Sequence, residues 1–476
     1  MFRAGFIVLV LGVLLGGPTG TRADVGLVLN DSLDTSVARI TGAGHSAIYF
    51  SGICAETPIK MRLCRAGEHG SVLSNYTSLG EDQPFEWNIV SLDMYLYGVS
   101  NPENRPLFAS AQIKNLLETD YRERVLRDYC ASHSCQTSEK AEWREMVSAT
   151  SERTIYIFVV KTSREQDLDL IARFNDARNV NHFNGFTRNC ADFSKNVINT
   201  YFPHATHRDA LNDFGMSSPK AVARTLARYA HKHPELQYRV IHFAQSPGTL
   251  KRSSECRSGT EQLYRSKKLL LPMALFAWHA LPVAAGSYLL TGRFNPQHEF
   301  EGHAAVLPGA GEDSLKAAEP EDGREVEASF KEAEAPERTS VAGTPKEWAA
   351  YREEFDSIVG EAVRDDLIPG RDSLDRVFKD LNERGRPFLD SRGGLWMEIE
   401  QGRETVKIGL SGSNVLAPAS DRSLAYQMIL AHVDDVLKSS PRRRETIPEF
   451  EQTWSLLQRA RAQLQTAKGP ALAMKR

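Results

Sequence analysis

The sequence predicts an α+β chain, with an antiparallel sheet and helices in its first half and a small, mainly helical unit at its end. Three observations carry this reading. Residues 24–250 mix β-rich runs with stretches of helical spacing. Residues 299–343 are rich in Glu, Ala, Pro and Gly and poor in large apolar side chains, the composition of a disordered acidic linker. Thr344-Pro345-Lys346-Glu347 then opens a new helix with a capping box and a proline at its first position.

Residues 1–23 read as an export signal. Arg3 supplies the positive start, Phe6 to Leu15 the apolar run, Gly16-Gly17-Pro18 the break, and Thr21-Arg22-Ala23 a cleavage site. The mature protein is therefore expected in the cell envelope, in the periplasm or outside the cell. A net charge of −3 leaves no basic excess for nucleic acid. Six cysteines are too few for a disulfide-dense scaffold, but export permits bridges. Cys54 with Cys64 and Cys130 with Cys135 are near enough in sequence to pair, which leaves Cys190 and Cys256.

Within residues 24–250, Val25 to Leu29 and His45 to Phe50 read as strands, and Ile89 to Tyr97 as another because it is β-branched and aromatic. Ala109 to Tyr129 has helical spacing. Thr154 to Lys161 is apolar on both faces, as a central covered strand must be. Glu165 to Ala177 returns as a helix.

The stretch with chemical promise follows. Phe193, Val197 and Tyr201 recur at helical spacing, and Cys190 lies one turn earlier on the same stripe, at the helix start, with Asn189 typed for the cap. A thiol there faces unpaired N–H groups and the positive end of the helix dipole, both of which favour the thiolate. His45 opens the strand His45 to Phe50. With Ser51-Gly52 as a two-residue turn into Ile53 to Thr57, position 45 lies opposite 58 and position 47 opposite 56. Glu56 then faces His45 diagonally and is the candidate to orient it; His69 is the substitute for that role.

Gly44-His45 and Asn189-Cys190-Ala191-Asp192-Phe193 together resemble the circularly permuted papain-like fold, in the branch that contains lecithin–retinol acyltransferase and its bacterial relatives. The resemblance covers about residues 40 to 205. It implies a permuted papain-like domain in which Cys190 attacks a carbonyl carbon, His45 takes and returns the proton, and Asn189 assists the oxyanion. The implied activity is hydrolysis or acyl transfer at an amide or ester of a peptide or lipid, with no cofactor. The competing class is a non-catalytic envelope binding or scaffold protein that keeps the fold. No Cys pair or carboxylate completes a metal set around His204 and His207 or around His231 and His233, so no metal ligands are assigned.

Leu269 to Leu290 is 22 residues without a charge, long enough to cross a bilayer but interrupted by Pro272 and Pro282. It is expected to contact the membrane. Residues 344–476 carry helices at Leu374 to Glu383, Leu424 to Leu437 and Pro448 to Gln465, and a hairpin from Leu395 to Leu410 around Gln401-Gly402. With no chemical constellation of its own, this unit is expected to engage a protein partner.

Overall fold

The computed structural model describes residues 23–33, 44–75, 85–129, 145–180, 187–209, 211–265, 278–307 and 341–473, together with Leu271, Ala274 and Leu275. Strand β1 (Ala23–Asn30) is buried along its whole length. Such a strand needs a neighbour on each edge and cover on each face. Its edge neighbours are β2 (His45–Phe50) and β7 (Ile155–Thr162), both antiparallel to it. Strands β5 (Ser71–Ser74), β6 (Asn88–Ser91), β8 (Arg239–Phe243) and β9 (Ala304–Ala305) complete a seven-stranded sheet in the order β6-β5-β2-β1-β7-β8-β9. Only β8 and β9 run parallel. The architecture is thus mixed α+β with antiparallel sheets, as the sequence predicts. The doubly apolar run at 154–161 is β7, in which Lys161 alone is exposed.

The two faces of the sheet bury different things. On one, Val25, Leu27, Leu29, Ile48 and Phe50 pack beneath three helices: α3 (Arg164–Asp176), α4 (Cys190–Tyr201) and α5 (Pro219–His231). On the other, Val28, Ala47 and Tyr49 meet α1 (Leu92–Tyr97) and α2 (Ala111–Tyr121). That core continues without a break into the C-terminal residues. Phe108 stacks on Phe378 at 5.0 Å, and the Leu107 N–H donates to the Leu410 carbonyl at 2.8 Å. His432 Nδ1 lies 2.6 Å from the Leu107 carbonyl, and Arg105 pairs with Glu445 at 3.2 Å. The C-terminal unit therefore packs within its own chain on residues 105–108 and α2, the layer that covers this face of the sheet.

Four expectations change. Ile89 to Tyr97 is not one strand: β6 ends at Ser91, α1 follows, and Gly98 in the left-handed region (φ 73°) stops the helix by donating to the Met94 carbonyl. The Ser51-Gly52 hairpin does not form. Instead β2 pairs with β5, Ile48 opposite Leu73, while β3 (Ile53–Thr57) turns at Pro58-Ile59 onto β4 (Lys60–Leu63). Pro58 supplies the fixed φ that a tight turn uses, and this moves the reversal seven residues downstream. Residues 299–307 are not linker, because helix α8 (Pro296–His303) and β9 occupy them; the remaining linker residues up to 340 lie outside the described set. Finally, the apolar segment is not one continuous helix. After α6 (Gly259–Arg265), its described part comprises Leu271, Ala274 and Leu275, a turn at Trp278-His279, α7 (Ala280–Ser287) and a π turn over Tyr288–Gly292, and among the described residues no helix is long and apolar enough to cross a membrane.

The C-terminal elements follow the pattern read from sequence. Helix α9 (Pro345–Arg364) carries the Thr344–Glu347 capping box and buries Trp348, Phe355 and Ile358. Helices α10 (Leu374–Arg384), α11 (Arg422–Lys438) and α12 (Ile447–Ala473) follow, and β11 (Leu395–Gln401) pairs with β12 (Glu404–Gly409) across the Gly402-Arg403 turn. A third strand, β10 (Gly385–Leu389), joins them from the other side.

Candidate active site around Cys190

Helix α4 starts at Cys190, as the sequence predicts. Asn189 is its cap, with Oδ1 accepting the Asp192 N–H at 2.9 Å. Asn189 Nδ2 donates to the Ser217 carbonyl at 3.0 Å. Both ends of the Asn189 amide thus hold the helix entrance in place, and the oxyanion role expected of it has no support in this geometry.

Cys190 is a free, half-buried cysteine. Its sulfur receives hydrogen bonds from the backbone and hydroxyl of Ser46 and from the Ala191 N–H. Ser46 also accepts the Ser194 hydroxyl at 3.2 Å, so it points at α4. Successive strand residues point to opposite faces. His45 therefore belongs to the other face, with Ala47 and Tyr49, and the register places it directly opposite Asn30, whose Nδ2 donates to the Tyr95 hydroxyl at 2.6 Å. Cys190 and His45 are brought to the same end of β2, but they flank it from opposite faces.

Electrostatics at this end of the strand oppose the thiolate that the helix start is expected to favour. Burial pushes the Cys190 thiol above its ordinary value and outweighs the hydrogen bonds from Ser46; the Glu145 charge pushes the same way. Burial, reinforced by the Arg153 guanidinium, pulls His45 down to about 3. The resting pair is neutral thiol and neutral imidazole.

Glu56 does not orient His45. It is exposed on the β3–β4 ribbon, and the Arg62 guanidinium feels its charge. The register that would have placed Glu56 beside His45 is absent because β5, not β3, pairs with β2. His69 does not substitute. Gly70, next to it, abuts the Phe50 carbonyl at the far end of β2, and His69 Nδ1 instead bonds Asp93 at 3.0 Å.

Three features here escaped the sequence reading. Gly44 sits at φ +70°, and a Cβ on it would lie 2.2 Å from Cys256 Sγ and 2.3 Å from the Asn30 carbonyl. Only glycine fits that backbone and that gap. Cys256, the second free cysteine, is buried there and donates to the Asn30 carbonyl at 2.8 Å. Asp192 is a buried carboxylate that gathers Arg208 (2.8 Å), Lys195 (3.2 Å) and the Ser217 hydroxyl (2.6 Å), fixing the loops on either side of the cysteine. Its position three residues after the cap was a readable signal, since acidic side chains favour a first helical turn.

Cys54 and Cys64 form a disulfide across the β3–β4 ribbon. The other cysteine pair considered, Cys130 and Cys135, lies outside the described residues.

Fold and site together define a mixed α+β protein with a free cysteine at a helix start, held against the end of a sheet strand. Among known proteins, no family model, no curated protein and no solved structure matches the chain.

Proposed function

We propose that this chain is an exported thiol hydrolase or acyltransferase of the cell envelope, acting on an amide or ester of a peptide or lipid with Cys190 as nucleophile. The observation that carries the reading is the placement of a free thiol at the first position of α4, with Ser46 and Ala191 donors on its sulfur. Donors at that point stabilise a thiolate as it forms. In this scheme the Cys190 sulfur bonds to the substrate carbonyl carbon as its proton passes to His45 round the end of β2. His45 then returns the proton to the departing oxygen or nitrogen, and water or a second acceptor cleaves the thioester. The Cys190 N–H supports the oxyanion. Because the resting groups are neutral, thiol ionisation is coupled to carbonyl attack and does not precede it. The resemblance of the Gly44-His45 and Asn189-Cys190 motifs to those of the permuted papain-like fold supports the same chemistry.

The Cys54–Cys64 disulfide supports an oxidising compartment and hence export. Exposed Leu271, Leu275, Trp278, Val283, Leu289 and Leu290 support contact with the membrane interface.

A second reading, a scaffold that keeps the architecture without catalysis, is favoured by the strand alternation that sets His45 and Cys190 on opposite faces. Steady-state turnover separates the two. The protein is assayed on matched acyl esters and acyl amides with lipid-like and peptide-like acyl groups, alongside Cys190→Ala and Cys190→Ser. Turnover of at least one class, abolished in Cys190→Ala, supports the enzyme. Equal rates for wild type and Cys190→Ala leave the scaffold.

A further inference from the structure

Helices α5 and α8 converge at one edge of the sheet, next to the β8–β9 pair. His231 is the last residue of α5, while Glu299 and His303 stand one turn apart on α8 and so share a face. His231 Nε2 lies 3.1 Å from Glu299 Oε2, and His303 Nδ1 lies 4.0 Å from the same oxygen. The three ligand atoms fall within 4.8 Å of one another. The two imidazole rings stack at 5.0 Å, and the Tyr238 hydroxyl donates to Glu299 Oε2 at 3.2 Å. Tyr238 thus helps to hold the carboxylate in place, as groups around metal ligands do. The His231 and His303 side chains are 44% and 38% exposed and that of Glu299 is 16% exposed, so the cluster opens to water while its carboxylate is anchored. His233, the partner that sequence spacing suggested for His231, instead pairs with Glu235 at 2.8 Å and stacks on Tyr229.

We propose that His231, Glu299 and His303 form a solvent-open binding site for a divalent transition-metal ion, Zn²⁺ being the ion that this ligand set fits best. Two imidazoles and a carboxylate are borderline ligands that suit Zn²⁺ and disfavour Mg²⁺ and Ca²⁺, which take oxygen. Ligand atoms of a tetrahedral zinc stand about 3.3 Å apart at Zn–N and Zn–O bonds of about 2 Å. Small rotations of two half-exposed imidazoles close the remaining gap. Water completes the coordination from the open side. Because β9 begins at Ala304, directly after His303, a bound ion ties α8 and the edge strand to α5.

The test uses the full chain, without an affinity tag of histidines, stripped with a chelator and titrated with Zn²⁺ by calorimetry. Wild type is expected to bind one equivalent that His303→Ala and Glu299→Gln lack and that His233→Ala retains. Tyr238→Phe should weaken that equivalent by about 10- to 100-fold. Circular dichroism checks that each variant is folded. If His303→Ala does not fold, Glu299→Gln and Tyr238→Phe decide the matter. The proposal is overturned if wild type binds no Zn²⁺, or if the folded ligand variants bind it with wild-type stoichiometry and affinity.

Discussion

His242 on β8 gives a test of the fold that is independent of any activity. It is fully buried between Tyr156 (4.9 Å) and Phe300 (5.1 Å), and neither ring nitrogen has a hydrogen-bond partner among the described residues. Burial alone pulls its pKa from 6.5 to about 3. A group whose folded pKa is depressed adds stability above its unfolded pKa, and that stability is lost as the pH falls towards the folded value. Between pH ~7.5 and ~4.5 this one residue should remove about 3 kcal/mol, since the unfolded chain gains a proton that the folded chain refuses. His242→Phe keeps a ring between the same neighbours and has nothing to protonate. Urea denaturation followed by tryptophan fluorescence gives stability against pH for both proteins. The variant is expected to be about 1–3 kcal/mol more stable near pH ~7.5, because two polar atoms no longer lie buried without partners. Its advantage should grow by about 3 kcal/mol at pH ~4.5. Parallel curves for the two proteins would refute the burial argument.

Other expectations follow from the same physics. Asp31, buried beside Ser253, has its pKa raised to about 7 by burial, so its contribution is full below its ordinary value of 3.8 and lost as the pH rises through 7; Asp31→Asn should therefore gain roughly 4 kcal/mol over wild type at pH ~8 and almost nothing at pH ~4, read from urea midpoints. Gly44→Ala must strain a left-handed backbone and displace Cys256, costing at least about 1–2 kcal/mol and lowering Tm, whereas Gly67→Ala, at φ +84° with open space around it, bears the backbone cost alone. Asn189→Ser keeps the cap and should leave turnover near wild type, in contrast to the ~100-fold loss that follows removal of an oxyanion donor. Glu56→Gln should leave turnover unchanged, and a fall of the size seen for a catalytic partner would restore Glu56 to the site.

Much of the fold was legible because its signals are local. The run at 154–161 is apolar on both faces and could only be a covered strand, and it is β7. The Thr344–Glu347 box and the Asn189 cap are chemistry confined to one helical turn, and both form as read. What failed was long-range. Ser51-Gly52 and Pro58-Ile59 are both fair turns, and the choice between them is made by β5, which takes the edge of β2 from some twenty residues downstream. One shifted turn removed Glu56 from the site. The alternation of β2 was equally legible, yet which of its faces α4 would cover was not, because helix-to-sheet packing leaves no mark at sequence spacing. Residues 299–305 read as linker by composition, yet they complete a helix that starts with an asparagine cap and a proline just before them, and Phe300 is buried against His242. Composition averaged over some forty residues hid seven that fold. The approach of Glu299 and His303 to His231 was hidden for a like reason, since they lie on a helix some seventy residues away.

If Cys190 is the nucleophile and His45 moves its proton, acylation must occur on Cys190 and depend on His45. Single-turnover acylation tests this most directly: wild type and His45→Ala are mixed with the best activated acyl ester, quenched in acid, and mapped by peptide mass. A thioester is expected on Cys190 in wild type, with formation at least about 100-fold slower in a folded His45→Ala, the scale of a lost general base. Acylation of Cys256 in place of Cys190, no adduct at all, or equal rates in the two proteins would contradict it.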